Sequence, residues 1–438
     1  MGLRMIKIKN VNLVDGSIVN VEIDQGLVKT ISKSTGKDNL EGIDGAGKIL
    51  MPGLVDLHTH LREPGREDSE TVLTGSESAV AGGFTAISAM ANTNPVADTA
   101  GVVEQIYRLG KNAGICDVNP IGAVTKGLKG EQLSEIGAMA ESIANVRIFS
   151  DDGNCVADPL IMRRALEYVK TYNGIIAQHA QDPRLTVNAQ MNEGVISAKI
   201  GLAGWPAVAE EAIIARDILL TDHVQSRLHI CHVTTAGGVE LVRWAKQRGI
   251  QVTAEVTPHH LLLTDDLVEN YDPIYKVNPP LRTEKDVMAL RQGLAEGVID
   301  IVATDHAPHS AEHKDCEWQS AAFGMVGLET ALSVVIKTMI ETKLMTWAEL
   351  SDRMSIRPAQ IAGYKNQGQK IVEGSAANLV LVDPNSHWTV DRHNLKSKSK
   401  NTPFDKMELP GVISEVIYNG NLVVQNGKQT SLGLGHND

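Results

Sequence analysis

Two histidines, His58 and His60, stand one residue apart in the run PGLVDLHTHLREPG at 52–65. Pro52-Gly53 is a turn signal, and 54–60 then alternate apolar and polar residues, the period of a strand. Period two places Asp56, His58 and His60 on one face and Val55 and Leu57 on the other. Two imidazoles at that spacing can converge on one metal ion, and neutral imidazole suits zinc and other first-row divalent ions. The charged stretch Leu61-Arg62-Glu63-Pro64-Gly65 follows where the strand ends, a place where an anionic substrate could be held. A His-x-His word is common by chance, so a metal reading requires more donors at equivalent positions.

Such donors recur at the ends of other apolar runs: Asp151-Asp152 in FSDDG, His179 after Gln178, His232 after Cys231, and Asp305 in TDHAPH. Each alone has a plain explanation. His179 could be a hydrogen-bonded core residue, Asp152 a turn residue before Gly153, and Asp305 a helix cap. Together, on separate strand ends, they imply a metal centre. Alternation puts His229 and His232 on opposite faces, so His232 is the expected ligand and His229 is expected in the wall. His306 is out of phase with Asp305. His259 and His260 follow Pro258 and are expected to be structural. Adjacent Asp151 and Asp152 are not ranked by the sequence alone.

The elements that must position these groups are legible as alternation. Strand-like runs occur at 54–60, 85–90, 118–124, 147–152, 175–179, 228–233, 251–257 and 300–305. Amphipathic helical segments at 68–82, 101–113, 132–143, 159–171, 207–220, 238–247 and 285–296 fill most gaps. Strands alternating with helices make parallel βαβ units, and eight units fit a (β/α)8 TIM-like barrel with its active residues at the C-terminal strand ends. Apolar helical segments over 327–362 would close it. Residues 1–51 and 366–438 read instead as short strands and turns. We expect one small β-sandwich domain formed by both termini around a catalytic barrel of 52–365.

Composition limits the partners. The chain has 438 residues, 42% hydrophobic and 21% charged, with 41 Lys+Arg against 53 Asp+Glu, a formal net charge of −12. That argues against nucleic acid or an anionic membrane surface, while a single arginine can still bind an acidic small molecule. No apolar run approaches a membrane span, and the first residues do not read as a signal peptide. Cys116, Cys155, Cys231 and Cys316 have no metal or disulfide spacing, which suits reduced thiols and a cytoplasmic enzyme.

The donor pattern resembles the amidohydrolase superfamily. The longer words HLREPG (60–65), NTNPV (92–96), FSDDG (149–153), TPHHLLL (257–263), KVNPPLR (276–282) and TDHAPH (304–309) resemble the bacterial type I dihydroorotases over nearly the whole chain. In that class an aspartate stands where many relatives carry a carboxylated lysine. The resemblance implies zinc, one or two ions per subunit. His58 and His60 would bind one with Asp305 nearby, His179 and His232 the second, and Asp152 would lie between. Arg62, Asn92 and His309 would hold the substrate carboxylate, and Asn278 with the Phe323-Gly324 backbone the ring amides. Ala91 departs from the family's usual proline before Asn-Thr. The implied reaction is reversible hydrolysis of dihydroorotate to N-carbamoyl-aspartate, in pyrimidine biosynthesis, with metal-activated hydroxide as nucleophile and Asp305 as general acid and base. A homodimer is expected, and association with aspartate carbamoyltransferase is raised. The competing readings are an allantoinase or dihydropyrimidinase, and an inactive homologue serving as a structural partner of that transferase. The polar stretch 310–322 reads as a mobile loop or lid, or as a plain solvated connection.

Overall fold

Eight parallel strands occupy the predicted runs: β1 (Leu54–Thr59), β2 (Phe84–Ala89), β3 (Asp117–Pro120), β4 (Ile148–Phe149), β5 (Ile175–Gln178), β6 (Leu228–Ile230), β7 (Val252–Val256) and β8 (Ile301–Val302). This computed structural model describes residues 5–38 and 41–431; the outermost parts of both terminal segments lie outside the described residues. β1, β2 and β3 pair in parallel, as do β4 through β8. Two parallel bridges close the ring: Gly122 with Phe149 between β3 and β4, and Thr59 with His306 between β8 and β1. The result is a (β/α)8 barrel.

Its interior is filled by one apolar cluster drawn from nearly every strand, including Val55, Leu57, Ala86, Ile148, Ile175, Ala177, Cys231 and Ile301. Ala359, Ile361 and Ala362 of the last helix, Arg357–Ala362, join this cluster and plug the base. The outer helices are built as their sequences dictate. In Pro159–Lys170 the Asp158 carboxylate accepts from the N–H groups of Leu160 and Ile161, and Pro159 occupies the first turn. Met162, Ala165, Leu166 and Val169 then recur at helical spacing and are buried.

Both termini build a second, mostly antiparallel sheet. Ile49–Pro52 pairs with Leu379–Thr389, Leu50 opposite Leu381, and this joins the N-terminal strands to the C-terminal ones. A bridge from Leu27 to Ala376 folds the far strand back over a shared core of Ile8, Val21, Val28, Leu379 and Leu381. The sheet hands the chain to the barrel at Gly53, where a Cβ would sit 2.3 Å from Thr85 Oγ1. Only glycine allows β1 to start that close to β2.

The stretch 310–322 is not a plain solvated connection. It contains a short helix, Ala311–Lys314, and Lys314 is buried, its Nζ donating to the carbonyls of Lys276 (2.7 Å) and Ala322 (3.0 Å).

Candidate metal centre and active site

At the C-terminal mouth of the barrel the simple strand phase breaks down, and the break builds the site. Val55 and Leu57 face the barrel interior, while the β1–β2 register shifts between Asp56 and Thr59. The Asp56 carboxylate accepts from His58 N (2.9 Å) and from Thr304 N (3.1 Å), replacing regular ladder bonds. Thus His58 and His60 reach the centre through a strand irregularity, not through sharing one clean face. On β6 the strand ends at Ile230 and His232 takes φ 30°. His229 is no wall residue: its Nε2 lies 3.0 Å from Glu255 Oε2, inside the barrel. Both β6 histidines serve the interior, so alternation does not separate them.

Six expected donors meet at one place, all buried. His58 Nε2 lies 3.4 Å from Asp152 Oδ2 and 3.5 Å from Asp305 Oδ1; His60 Nε2 lies 3.3 and 3.0 Å from the same two oxygens. The other oxygen of Asp152, Oδ1, is 3.3 Å from His179 Nδ1 and 3.1 Å from His232 Nε2. Asp152 therefore presents one oxygen to each histidine pair. Asp151 points elsewhere: it accepts from the N–H groups of Val124 and Thr125 and from the Thr125 hydroxyl. Burial would raise the carboxyls of Asp152 and Asp305, but the surrounding imidazoles, His58 foremost, hold both below the usual carboxylate range.

The donor set fits a divalent ion. Ligands about 2.0–2.2 Å from a tetrahedral zinc stand about 3.3–3.5 Å apart, close to the spacings here. His58 Nε2 is buried with no hydrogen-bond partner, an atom that a metal would satisfy. The far ring nitrogens are anchored: His58 Nδ1 to Glu255 Oε1 (2.6 Å), His60 Nδ1 to Asn92 Oδ1 (2.8 Å) and His179 Nε2 to Gln181 Oε1 (2.8 Å). An acceptor on one nitrogen fixes the tautomer that leaves the other free to ligate.

The chain is similar to known proteins over nearly its whole length. The family described as Dihydro-orotase-like matches residues 47–237. The dihydroorotase of Streptomyces coelicolor is 61% identical over 423 residues, covering 97% of this chain and 99% of its own. The chain belongs to the dihydroorotase family. The dihydroorotase of Mycobacterium tuberculosis is 52% identical over 416 residues, 94% of this chain and 96% of its own. Among solved structures, the L-hydantoinase of Arthrobacter aurescens superposes with a TM-score of 0.85 at 26% identity, covering 98% of both chains. A dihydropyrimidinase from Brevibacillus agri gives 0.85 at 21%, covering 99% of this chain and 97% of its own. The fold is thus shared with other cyclic-amide hydrolases, while the sequence sides with the dihydroorotases.

The residues expected at a dihydroorotase substrate surround the metal donors. Arg62 is buried, sits at φ 63°, and donates Nε to the Pro308 carbonyl (3.1 Å). Glu63 and Glu67 do not pair with it; they accept from Val72 N and Gly65 N. Burial and nearby Arg66 lower its guanidinium to about 10. A buried cation without a carboxylate is costly unless an anion joins it. Asn92 Oδ1 lies 2.8 Å from His60 Nδ1, which leaves its amide nitrogen free. His309 Nε2 lies 2.8 Å from Phe323 O and 3.4 Å from an Arg62 nitrogen, and its Nδ1 is buried without a partner. Asn278 Oδ1 is likewise buried and unpartnered. Gly324 N–H donates to Lys276 O (3.0 Å), and Gly324 O accepts from Asn401 Nδ2 (3.2 Å). His306 bonds Glu70, away from the centre, and His259 and His260 are buried in the short helix Pro258–Leu262.

Glu255 and Gln181 were not singled out by sequence. A signal for Glu255 exists: it is the one acid inside the apolar strand β7, one of three barrel strands that supply none of the expected donors.

Proposed function

We propose that His58, His60 and Asp305 hold one divalent ion, that His179 and His232 hold a second, and that Asp152 bridges them, with zinc as the ion. The observation that carries this reading is the division of the two Asp152 oxygens between the two histidine pairs. When bound, such an ion supplies a nucleophile at neutral pH by lowering the pKa of water to roughly 7, and it polarises the scissile carbonyl.

The chain's own groups do the rest. Asp305 accepts the proton of the attacking water as its oxygen bonds to the ring carbonyl carbon, then returns it to the ring nitrogen when the C–N bond breaks. Its depressed pKa keeps it ionised. Arg62 receives the substrate carboxylate through paired charged hydrogen bonds. The two contacts of His309 Nε2 belong to different tautomers: donation to Phe323 O, or acceptance from Arg62 with Nδ1–H free to donate. The second tautomer suits a bound carboxylate. Asn278 Oδ1 accepts a ring N–H, and the Asn92 amide nitrogen donates to the carboxylate.

The substrate pair is dihydroorotate and N-carbamoyl-aspartate. The protein acts as a cytoplasmic homodimer in pyrimidine biosynthesis and is a candidate associate of aspartate carbamoyltransferase; its four free cysteines accord with a reducing compartment. An assay on dihydroorotate with parallel metal analysis tests the reading. Turnover with bound zinc is expected. Turnover of hydantoin but not dihydroorotate would transfer the assignment to the hydantoinase-type reading, and absence of both metal and turnover to a structural homologue.

A further inference from the structure

One buried carboxylate underlies both halves of the centre. Glu255 projects inward from β7 and is 1% exposed. Oε1 lies 2.6 Å from His58 Nδ1 and accepts from the backbone N–H of His232 (3.2 Å). Oε2 lies 3.0 Å from His229 Nε2, and His229 Nδ1 lies 2.8 Å from Thr253 Oγ1. Three strands are thereby tied to one group: β1 through His58, β6 through His229 and His232, and β7 itself.

These contacts bear on two distinct problems. His58 can ligate through Nε2 only if its proton sits on Nδ1, and an acceptor at 2.6 Å selects that tautomer. His232 holds φ 30°, a backbone conformation that costs about 1–3 kcal/mol and persists only where surroundings enforce it. Its N–H is held at that point by the same Glu255 oxygen. His58 belongs to one metal position and His232 to the other in the reading above.

We propose that Glu255 is a positioning residue for both metal positions at once, fixing the His58 tautomer and the strained His232 backbone, with His229 as the hydrogen-bonded anchor of its second oxygen. This rests on the metal-centre reading but not on the identity of the substrate. The test compares the full-length protein with E255Q and E255D, reading zinc stoichiometry and affinity by chelator competition beside steady-state kinetics. E255Q should bind zinc about 10- to 100-fold more weakly, the range for loss of such a partner, with both equivalents affected. Its kcat should recover toward native as free zinc is raised, and E255D should restore part of the affinity. Melting of the metal-free forms separates this from a general loss of folding: metal-free E255Q should melt close to the metal-free native protein.

Native zinc affinity in E255Q would overturn the proposal. So would loss of one whole equivalent with the rest bound normally, because Glu255 with Cys231 and His58 would then be ligands of an ion themselves. A native protein that binds zinc but leaves dihydroorotate untouched would instead remove the substrate assignment and leave this inference standing.

Discussion

The barrel mouth and the terminal sheet bury side chains equally well but for opposite purposes. In the sheet the buried residues are aliphatic, Ile8, Val21, Leu379 and Leu381 among them, and alternation along the strands tells which face they take. At the mouth the buried residues are imidazoles, carboxylates and one guanidinium, and several sit in strained backbone: Arg62 at φ 63°, His232 at 30° and Asp305 at 48°. Strain at such positions costs about 1–3 kcal/mol apiece. The mouth thus spends stability on geometry, and the sheet supplies stability without chemistry.

Mutations should separate the two regions. Asp305→Ala should lower kcat by about 10²- to 10⁴-fold, the range for losing a general acid and base, at saturating zinc and with unchanged circular dichroism. Near-native turnover would remove Asp305 from proton transfer. Leu381→Ala should do the reverse, costing about 2–5 kcal/mol in denaturant unfolding while kcat/KM per folded molecule stays native. A large kinetic defect there would mean the sheet is coupled to the site.

The contrast explains what could be read in advance. The eight barrel strands are legible as short apolar runs, buried on both faces, set between helical segments, and most helices follow from the period of their buried residues. The donors could be found because each ends a strand. Their orientation could not, since it depends on where regular pairing fails: the shift between Asp56 and Thr59, and the early end of β6 before His232. Asp151 and Asp152 illustrate the limit. Composition and periodicity do not separate these identical neighbours; the family resemblance favours Asp152, and the Val124 and Thr125 amides that capture Asp151 give the physical reason. The family words supplied the expected substrate residues but not the contact of Asn92 with His60.

Two smaller effects sharpen the comparison. Arg62→Ala should raise KM for dihydroorotate by about 10- to 100-fold, equivalent to roughly 1.5–3 kcal/mol for charged hydrogen bonds, with a smaller change in kcat; unchanged saturation would exclude the carboxylate contact. At the site's edge, burial and neighbouring Lys276 lower Lys314 to about 7 from an ordinary value of 10.5. Between these values the unfolded chain binds the proton and the folded one does not, so stability should rise with pH from about 7 toward 10.5. Protection from hydrogen exchange across 310–322, taken relative to the intrinsic rate at each pH, should rise accordingly, and Lys314→Met should flatten the slope. A slope unchanged in that variant would assign it to another group.

The most direct measurement is anomalous scattering from crystals grown with zinc. Density on both sides of Asp152, one peak beside His58, His60 and Asp305 and another beside His179 and His232, is the expected result. Zinc bound elsewhere, with these six side chains hydrogen-bonded only to one another, would contradict the account.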